Sequence, residues 1–139
     1  DFDYGKAFTD ETKAEIFAEL DKSYVNGLTV LGGEPFEPEN QRDLLPLLQE
    51  IRRRYPDKSI WCFTGFRLED ELLREGSHPR CAVTDDLLSC IDVLVDGKFK
   101  EELRDEDLYF RGSSNQRLID VQASLKAKKA VDYVYNPKL

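Results

Sequence analysis

Apolar positions along the chain alternate between short continuous runs and longer stretches in which they recur every three or four residues. Three runs, Leu28–Leu31, Ile60–Phe63 and Ile91–Val95, are apolar nearly throughout, as strands buried on both faces are. Each is closed by a small or polar pair, Gly32-Gly33, Thr64-Gly65 and Asp96-Gly97, and the pairs repeat at intervals of 32 residues. One strand, one helix and two loops occupy such an interval. The pattern therefore predicts successive right-handed βαβ units, an α/β fold with a mainly parallel sheet. A fourth strand is expected at Leu108–Arg111.

The stretches between the runs carry helix signals. Thr9 is an N-cap candidate, Asp10 and Glu11 suit a first turn, and Ile16, Phe17, Leu20 and Tyr24 form an apolar stripe. Leu44, Leu48, Ile51 and Tyr55 recur at helical spacing, with Pro56 as the stop. Because an interior proline costs a helical hydrogen bond, Pro46 is expected in a first turn that follows Asp43 as N-cap. The third stretch is broken by Gly76 and Pro79, after which Thr84 opens a short helix over Leu87, Leu88 and Ile91. Gly112-Ser113-Ser114 is expected to lead into a last helix with Leu118, Val121 and Leu125 on one face, Ser113 or Ser114 supplying the cap. Residues from about 126 to 139 read as a tail, frayed at Asn136–Leu139.

Composition narrows the function classes. A chain of 139 residues holds one domain, 1–139. A net charge of -8 disfavours nucleic acid, which is bound through basic side chains that displace counterions. No apolar run approaches the roughly 20 residues that span a bilayer, and the N-terminus has neither a basic nor an apolar signal region, so a soluble, cytoplasmic protein is expected. Three widely spaced cysteines, Cys62, Cys81 and Cys90, fit reduced thiols better than a disulfide framework. His78 and Cys81 make only half of a zinc motif, and His78, the sole histidine, reads as a surface-loop residue.

In parallel α/β folds ligands gather at the carboxyl ends of the strands. Glu34, Thr64, Asp96 and Ser113 all fall on that edge. Each pair taken alone is an ordinary turn dipeptide; their common phase points to a shared site. In Leu31-Gly32-Gly33-Glu34-Pro35-Phe36 the glycines let backbone approach a ligand, Glu34 suits an ammonium group and Pro35 fixes the path of the chain. The stretch is neither GxGxxG nor GxxxxGK[ST], and a carboxylate behind two glycines repels phosphate. The fitting guest carries positive charge. Asp92, Leu94 and Asp96 share one face of their strand, and only Asp96 reaches the carboxyl end, where it is either a solvated turn residue or part of the site.

The runs DFDYGKAFTDET, GLTVLGGEPFEPENQRDLLPLL, YPDKSIWCFTGF, IDVLVDGKF and LYFRGSSNQRLIDVQASL closely resemble the activating components of anaerobic ribonucleoside-triphosphate reductase, small radical S-adenosylmethionine enzymes. The likeness extends from Asp1 to about Leu125. It implies a partial (βα) barrel in which Gly32, Gly33, Glu34 and Pro35 bind the methionyl amino group of S-adenosylmethionine; Thr64, at the same edge by its phase in the repeat, is expected to belong to that site. By resemblance Asp96 helps to hold a cation or contacts the partner's glycyl loop. Asn115 and Arg117, with Ser113, are assigned by resemblance to the ribose and carboxylate or to the approach of the reductase. The implied chemistry is reductive cleavage of S-adenosylmethionine by a [4Fe-4S] cluster, giving a 5′-deoxyadenosyl radical that takes a hydrogen atom from a glycine of the reductase. The implied partners are the reductase large subunit and an electron donor such as flavodoxin. No side chain of this chain need act as a general acid or base.

The family's CxxxCxxC cluster motif is absent from these 139 residues, and so is any methionine. The expectation is a chain whose first strand and cluster loop lie outside it, inactive by itself, with none of its cysteines a cluster ligand. An alternative is a noncatalytic module that binds S-adenosylmethionine, a nucleotide or only a protein partner. A third is an unrelated α/β enzyme with Glu34 and Asp96 as paired carboxylates.

Overall fold

In the computed structural model residues 9–108 and 111–134 are described. The apolar runs become β1 (Gly27–Val30), β2 (Ser59–Phe63) and β3 (Val93–Asp96), each within two residues of its expected start. They pair in parallel, Leu28 beside Ile60 and Cys62 beside Leu94. The sheet continues in chain order to β4 (Arg117–Asp120), which is antiparallel to β3. The fold is therefore α/β, with a four-stranded, mostly parallel mixed sheet.

Helices α1 (Asp10–Leu20), α2 (Pro38–Arg54), α3 (Thr84–Ser89) and α4 (Val121–Ala127) accompany the strands. One core joins Phe17 and Leu20 of α1, Leu44, Leu48 and Ile51 of α2, and Leu87 and Leu88 of α3 to Val30, Ile60, Cys62, Leu94 and Ile119 of the sheet. By the register, those strand residues lie on one face. Trp61, Phe63, Val93, Val95 and Leu118 lie on the other face, where the Tyr133 ring meets Trp61 edge to face at 5.4 Å.

Thr9 caps α1 as expected, its hydroxyl accepting the Thr12 N–H. Tyr24, placed in the stripe of that helix, lies beyond it and is 74% exposed, and Leu31 falls just outside β1. The second helix begins earlier than Asp43. Pro38 opens it, and Pro46 lies in its interior. Pro46 lies on the solvent face of the helix, as does Arg42, whose carbonyl is the one left without the missing N–H.

The largest departure concerns the last third. Of the expected strand Leu108–Arg111, Tyr109 and Phe110 lie outside the described residues, while Leu108 and Arg111 are in no strand. The fourth strand is instead Arg117–Asp120, inside the stretch expected to be helical, because Leu118 and Ile119 are buried on opposite faces of the sheet. Neither Ser113 nor Ser114 caps a helix. Asp120 does so, accepting the Ala123 N–H at 3.0 Å. The segment read as tail is partly built in: α4 runs to Ala127, and Val131 and Tyr133 hydrogen-bond along β4. Asn136–Leu139 lie outside the described residues.

Candidate functional site

The loops after β1, β2 and β3 are pinned to one another by backbone and side-chain hydrogen bonds. Gly32 has φ +98°, a left-handed conformation that glycine adopts freely, and it turns the chain into Glu34. The Glu34 carbonyl accepts the Asn40 amide at 2.8 Å. The buried Gln41 amide donates to the Phe36 and Pro79 carbonyls, and its oxygen accepts the Thr84 hydroxyl at 2.7 Å. These bonds fix the loop from the α2 side.

The Glu34 carboxylate is held from two directions. Its Oε2 accepts the Phe36 N–H at 2.8 Å and the Thr64 hydroxyl at 2.7 Å, and its Oε1 accepts the Gly65 N–H at 2.7 Å. A carboxylate has about four lone-pair positions, so one acceptor direction and the negative charge remain for a ligand. Glu34 thus joins the β1 loop to the β2 loop and faces a cleft of about 660 Å³ that Gly65, Phe66, Gly97, Lys98 and Asn115 also line. An adjoining hollow of about 260 Å³ shares Glu34, Gly65 and Lys98 and adds Gly32, Pro35 and Thr64. Both lie at the carboxyl ends of the parallel strands, and the larger is in the range of small-molecule sites.

Gly32, Glu34, Pro35, Thr64 and Asn115 therefore come together at this edge, with Gly33 in the same loop. Asp96, Ser113 and Arg117 lie behind it. Asp96 is fully buried; it accepts the Leu68 N–H at 2.8 Å and pairs with Arg117 through Nε at 2.9 Å and Nη2 at 2.5 Å. Arg117 reaches this edge because β4 is antiparallel, so its first residue stands opposite the last residue of β3. Arg117 also binds Glu69 through Nη1 at 3.0 Å and Nη2 at 2.5 Å. Ser113 and Asn115 knit the turn before β4 to the segment after β3. The Ser113 hydroxyl donates to Asn115 Oδ1 at 2.6 Å, and the Asn115 amide donates to the Lys98 carbonyl at 2.7 Å.

Hydrogen bonding from Arg117 holds the Glu69 carboxyl down at about 2, well below the usual carboxylate range. A depressed value stabilises the fold above the unfolded pKa and stops doing so as the pH falls toward the folded one. Glu69→Gln is therefore expected to flatten the acid limb of stability between about pH 4.5 and pH 2 and to leave its shape near neutrality unchanged. Urea unfolding across that range checks this; an acid limb as steep as that of the unsubstituted chain would refute it.

Reading the residues in sequence missed several features of the site, among them Glu37, Arg67, Glu71 and Lys100, which also line the larger cleft. Lys98, directly after Asp96-Gly97, lines both hollows, and its position after a strand-closing pair was a usable signal. Phe66 follows Thr64-Gly65 in the same way. Glu69 had no local signal, since its partner is 48 residues away. A further cleft of about 550 Å³ along β1 and β2 is lined by Thr29, Leu31, Trp61 and Phe63 among others and has no titratable lining residue, so it offers apolar contact and no acid–base chemistry.

Residues 1–119 match the model of the 4Fe-4S single cluster domain family. The chain is 41% identical over 114 residues to the anaerobic ribonucleoside-triphosphate reductase-activating protein of Salmonella typhi, covering 81% of this chain and 68% of that one. It is 40% identical over 117 residues to the protein of the same name from Haemophilus influenzae, covering 83% and 70%. Against that of enterobacteria phage T4 it is 38% identical over 114 residues, covering 82% and 65%. The chain belongs to this family. The matches span about two thirds of the length of these relatives, and no solved structure matches the chain.

The cysteines present do not fit a [4Fe-4S] cluster. Cys62 is fully buried in the core, and burial pushes its thiol far above the ordinary value; Cys90 is buried and raised in the same way. Cys81 lies against Gln41 and Thr84. Among the described residues no group of three His, Cys, Asp or Glu side chains is placed to hold a metal ion. No helix among them is long and apolar enough to cross a membrane.

Proposed function

We propose that this chain forms the S-adenosylmethionine-binding part of a cytoplasmic activator that generates a glycyl radical on anaerobic ribonucleoside-triphosphate reductase, drawing electrons from a donor such as flavodoxin. S-adenosylmethionine would supply the radical chemistry on one-electron reduction by a [4Fe-4S] cluster whose ligands are not among the cysteines of this chain; the residues of this chain bind, orient and shield it. The cysteines present hold no cluster, so no electron step is assigned to them.

The observation that carries the reading is the Glu34 carboxylate, fixed by Phe36, Thr64 and Gly65 and facing a cleft, where it suits the α-ammonium group of the methionyl moiety. Gly32, Gly33 and Pro35 shape the loop that presents it, and Thr64 orients it. Asn115 lines the same cleft, and Ser113 steadies Asn115. Asp96 and Arg117 act from behind. The parallel order of β1, β2 and β3 supports a further part of the proposal, that these three strands form a section of a (βα) barrel wall, with the antiparallel β4 outside that pattern.

Calorimetric titration of the chain with S-adenosylmethionine tests the assignment. Glu34→Gln removes the charge but keeps an acceptor oxygen, and it is expected to weaken binding about tenfold or more, the equivalent of about 1.4 kcal/mol. Unchanged affinity in this variant, or no binding by the unsubstituted chain, would overturn it.

A further inference from the structure

We propose that Arg117 is a positioning residue for Glu34, acting across the sheet edge through the segment that follows β2. The inference rests on the S-adenosylmethionine site proposed above and assigns Arg117 a part in it other than direct contact.

Four N–H groups of Arg117 point at Asp96 and Glu69, through Nε, Nη1 and twice through Nη2. A guanidinium has five N–H donors, so one remains. Its charge is shared between two carboxylates, which leaves little attraction for a ligand anion. What the arrangement does instead is hold Glu69, the second residue of a single π-helical turn (Leu68–Leu72) that follows β2. Asp96 holds the neighbouring residue through the Leu68 N–H.

The same segment is fastened to the end of β3 at two more points. The Thr64 N–H donates to the Val95 carbonyl at 2.9 Å, and the Gly97 N–H donates to the Phe66 carbonyl at 3.1 Å. Thr64 through Leu68 is thus stapled to β3 along its length, with the Arg117 pair as the final staple. Two of the three hydrogen bonds that orient Glu34 come from this segment, from the Thr64 hydroxyl and the Gly65 N–H. Loosening Glu69 and Leu68 frees the segment to shift, and Glu34 turns with it. An acceptor that must meet an ammonium group at hydrogen-bond distance loses affinity when its supports move by a fraction of an ångström.

The test compares two probes on the full chain by calorimetry: S-adenosylmethionine, and 5′-methylthioadenosine, which keeps the adenosine and sulfur but lacks the amino-acid end. Arg117→Gln and Glu34→Gln are each expected to weaken S-adenosylmethionine about fivefold or more, and the double variant to bind no more weakly than Glu34→Gln alone. Neither single variant should change 5′-methylthioadenosine affinity by more than about twofold. Glu69→Gln, which keeps the Arg117–Asp96 pair, should weaken S-adenosylmethionine in the same selective way and serves if Arg117→Gln fails to fold. Equal losses for both probes would make Arg117 a general structural support and overturn the inference, as would losses that multiply in the double variant. S-adenosylmethionine affinity unchanged in Arg117→Gln and Glu69→Gln, with Glu34→Gln weakened, would overturn it while leaving the site assignment standing. No S-adenosylmethionine binding by the unsubstituted chain would overturn the site assignment itself.

Discussion

Asp96→Ala lowers the stability of the chain by about 3 kcal/mol, the lower end of the range for removing one member of a buried ion pair. Asp96 is fully buried, so its loss leaves the Leu68 N–H without an acceptor and Arg117 without its inner partner. The lower end applies because Glu69 still binds the Arg117 guanidinium, whose side chain is 24% exposed. Asp96→Asn keeps an acceptor for Leu68 and loses less. Urea unfolding with linear extrapolation measures both. A loss below about 1 kcal/mol in Asp96→Ala would show that the pair is dispensable to the fold.

Gly27→Ala has an effect of similar size for a different reason. An added Cβ at Gly27 would fall inside the contact radius of the Ser59 carbonyl oxygen and lie 2.8 Å from the Ser59 carbonyl carbon and Oγ. Gly27 and Ser59 are register partners in β1 and β2, so the obstruction is backbone on the neighbouring strand and cannot swing away as a side chain would. Within the described residues β1 has only β2 beside it. The two strands must part at this end, and the cost is expected to exceed the usual overpacking range, at about 3 kcal/mol or more. Hydrogen exchange should show lost protection across Gly27–Val30 before other strands are affected. Stability equal to that of the unsubstituted chain would mean that the first rung of this ladder contributes nothing.

Much of the sheet could be read from the chain because Ile60–Phe63 and Ile91–Val95 are continuous apolar runs, although only β3 is buried at every position and β2 alternates buried with half-buried residues. Glu34 and Thr64 were legible for a related reason: each closes or follows a strand on the ligand edge, at the same phase. The region from Leu108 onward was not legible. Leu118, Val121 and Leu125 have the spacing of a helical stripe, yet Leu118 belongs to a strand whose apolar signal is only the pair Leu118-Ile119. A two-residue run carries no period, so the turn chemistry of Gly112-Ser113-Ser114 was assigned to a helix cap instead. Pro46 misled because its penalty depends on whether the abandoned carbonyl can reach water, which burial decides and sequence does not. The links from Gln41 to Thr84 and from Glu69 to Arg117 join residues 43 and 48 apart, and no local pattern announces either.

Trp61 is the only tryptophan in the chain. It stands on the face of the sheet away from the helical core and meets the ring of Tyr133, in the segment that hydrogen-bonds along β4. Its indole emission therefore gives a built-in optical gauge that responds to the seating of the residues after α4 against the sheet. A shift in emission wavelength that precedes the loss of helical circular dichroism separates the lifting of that segment from the melting of the domain, without any attached dye.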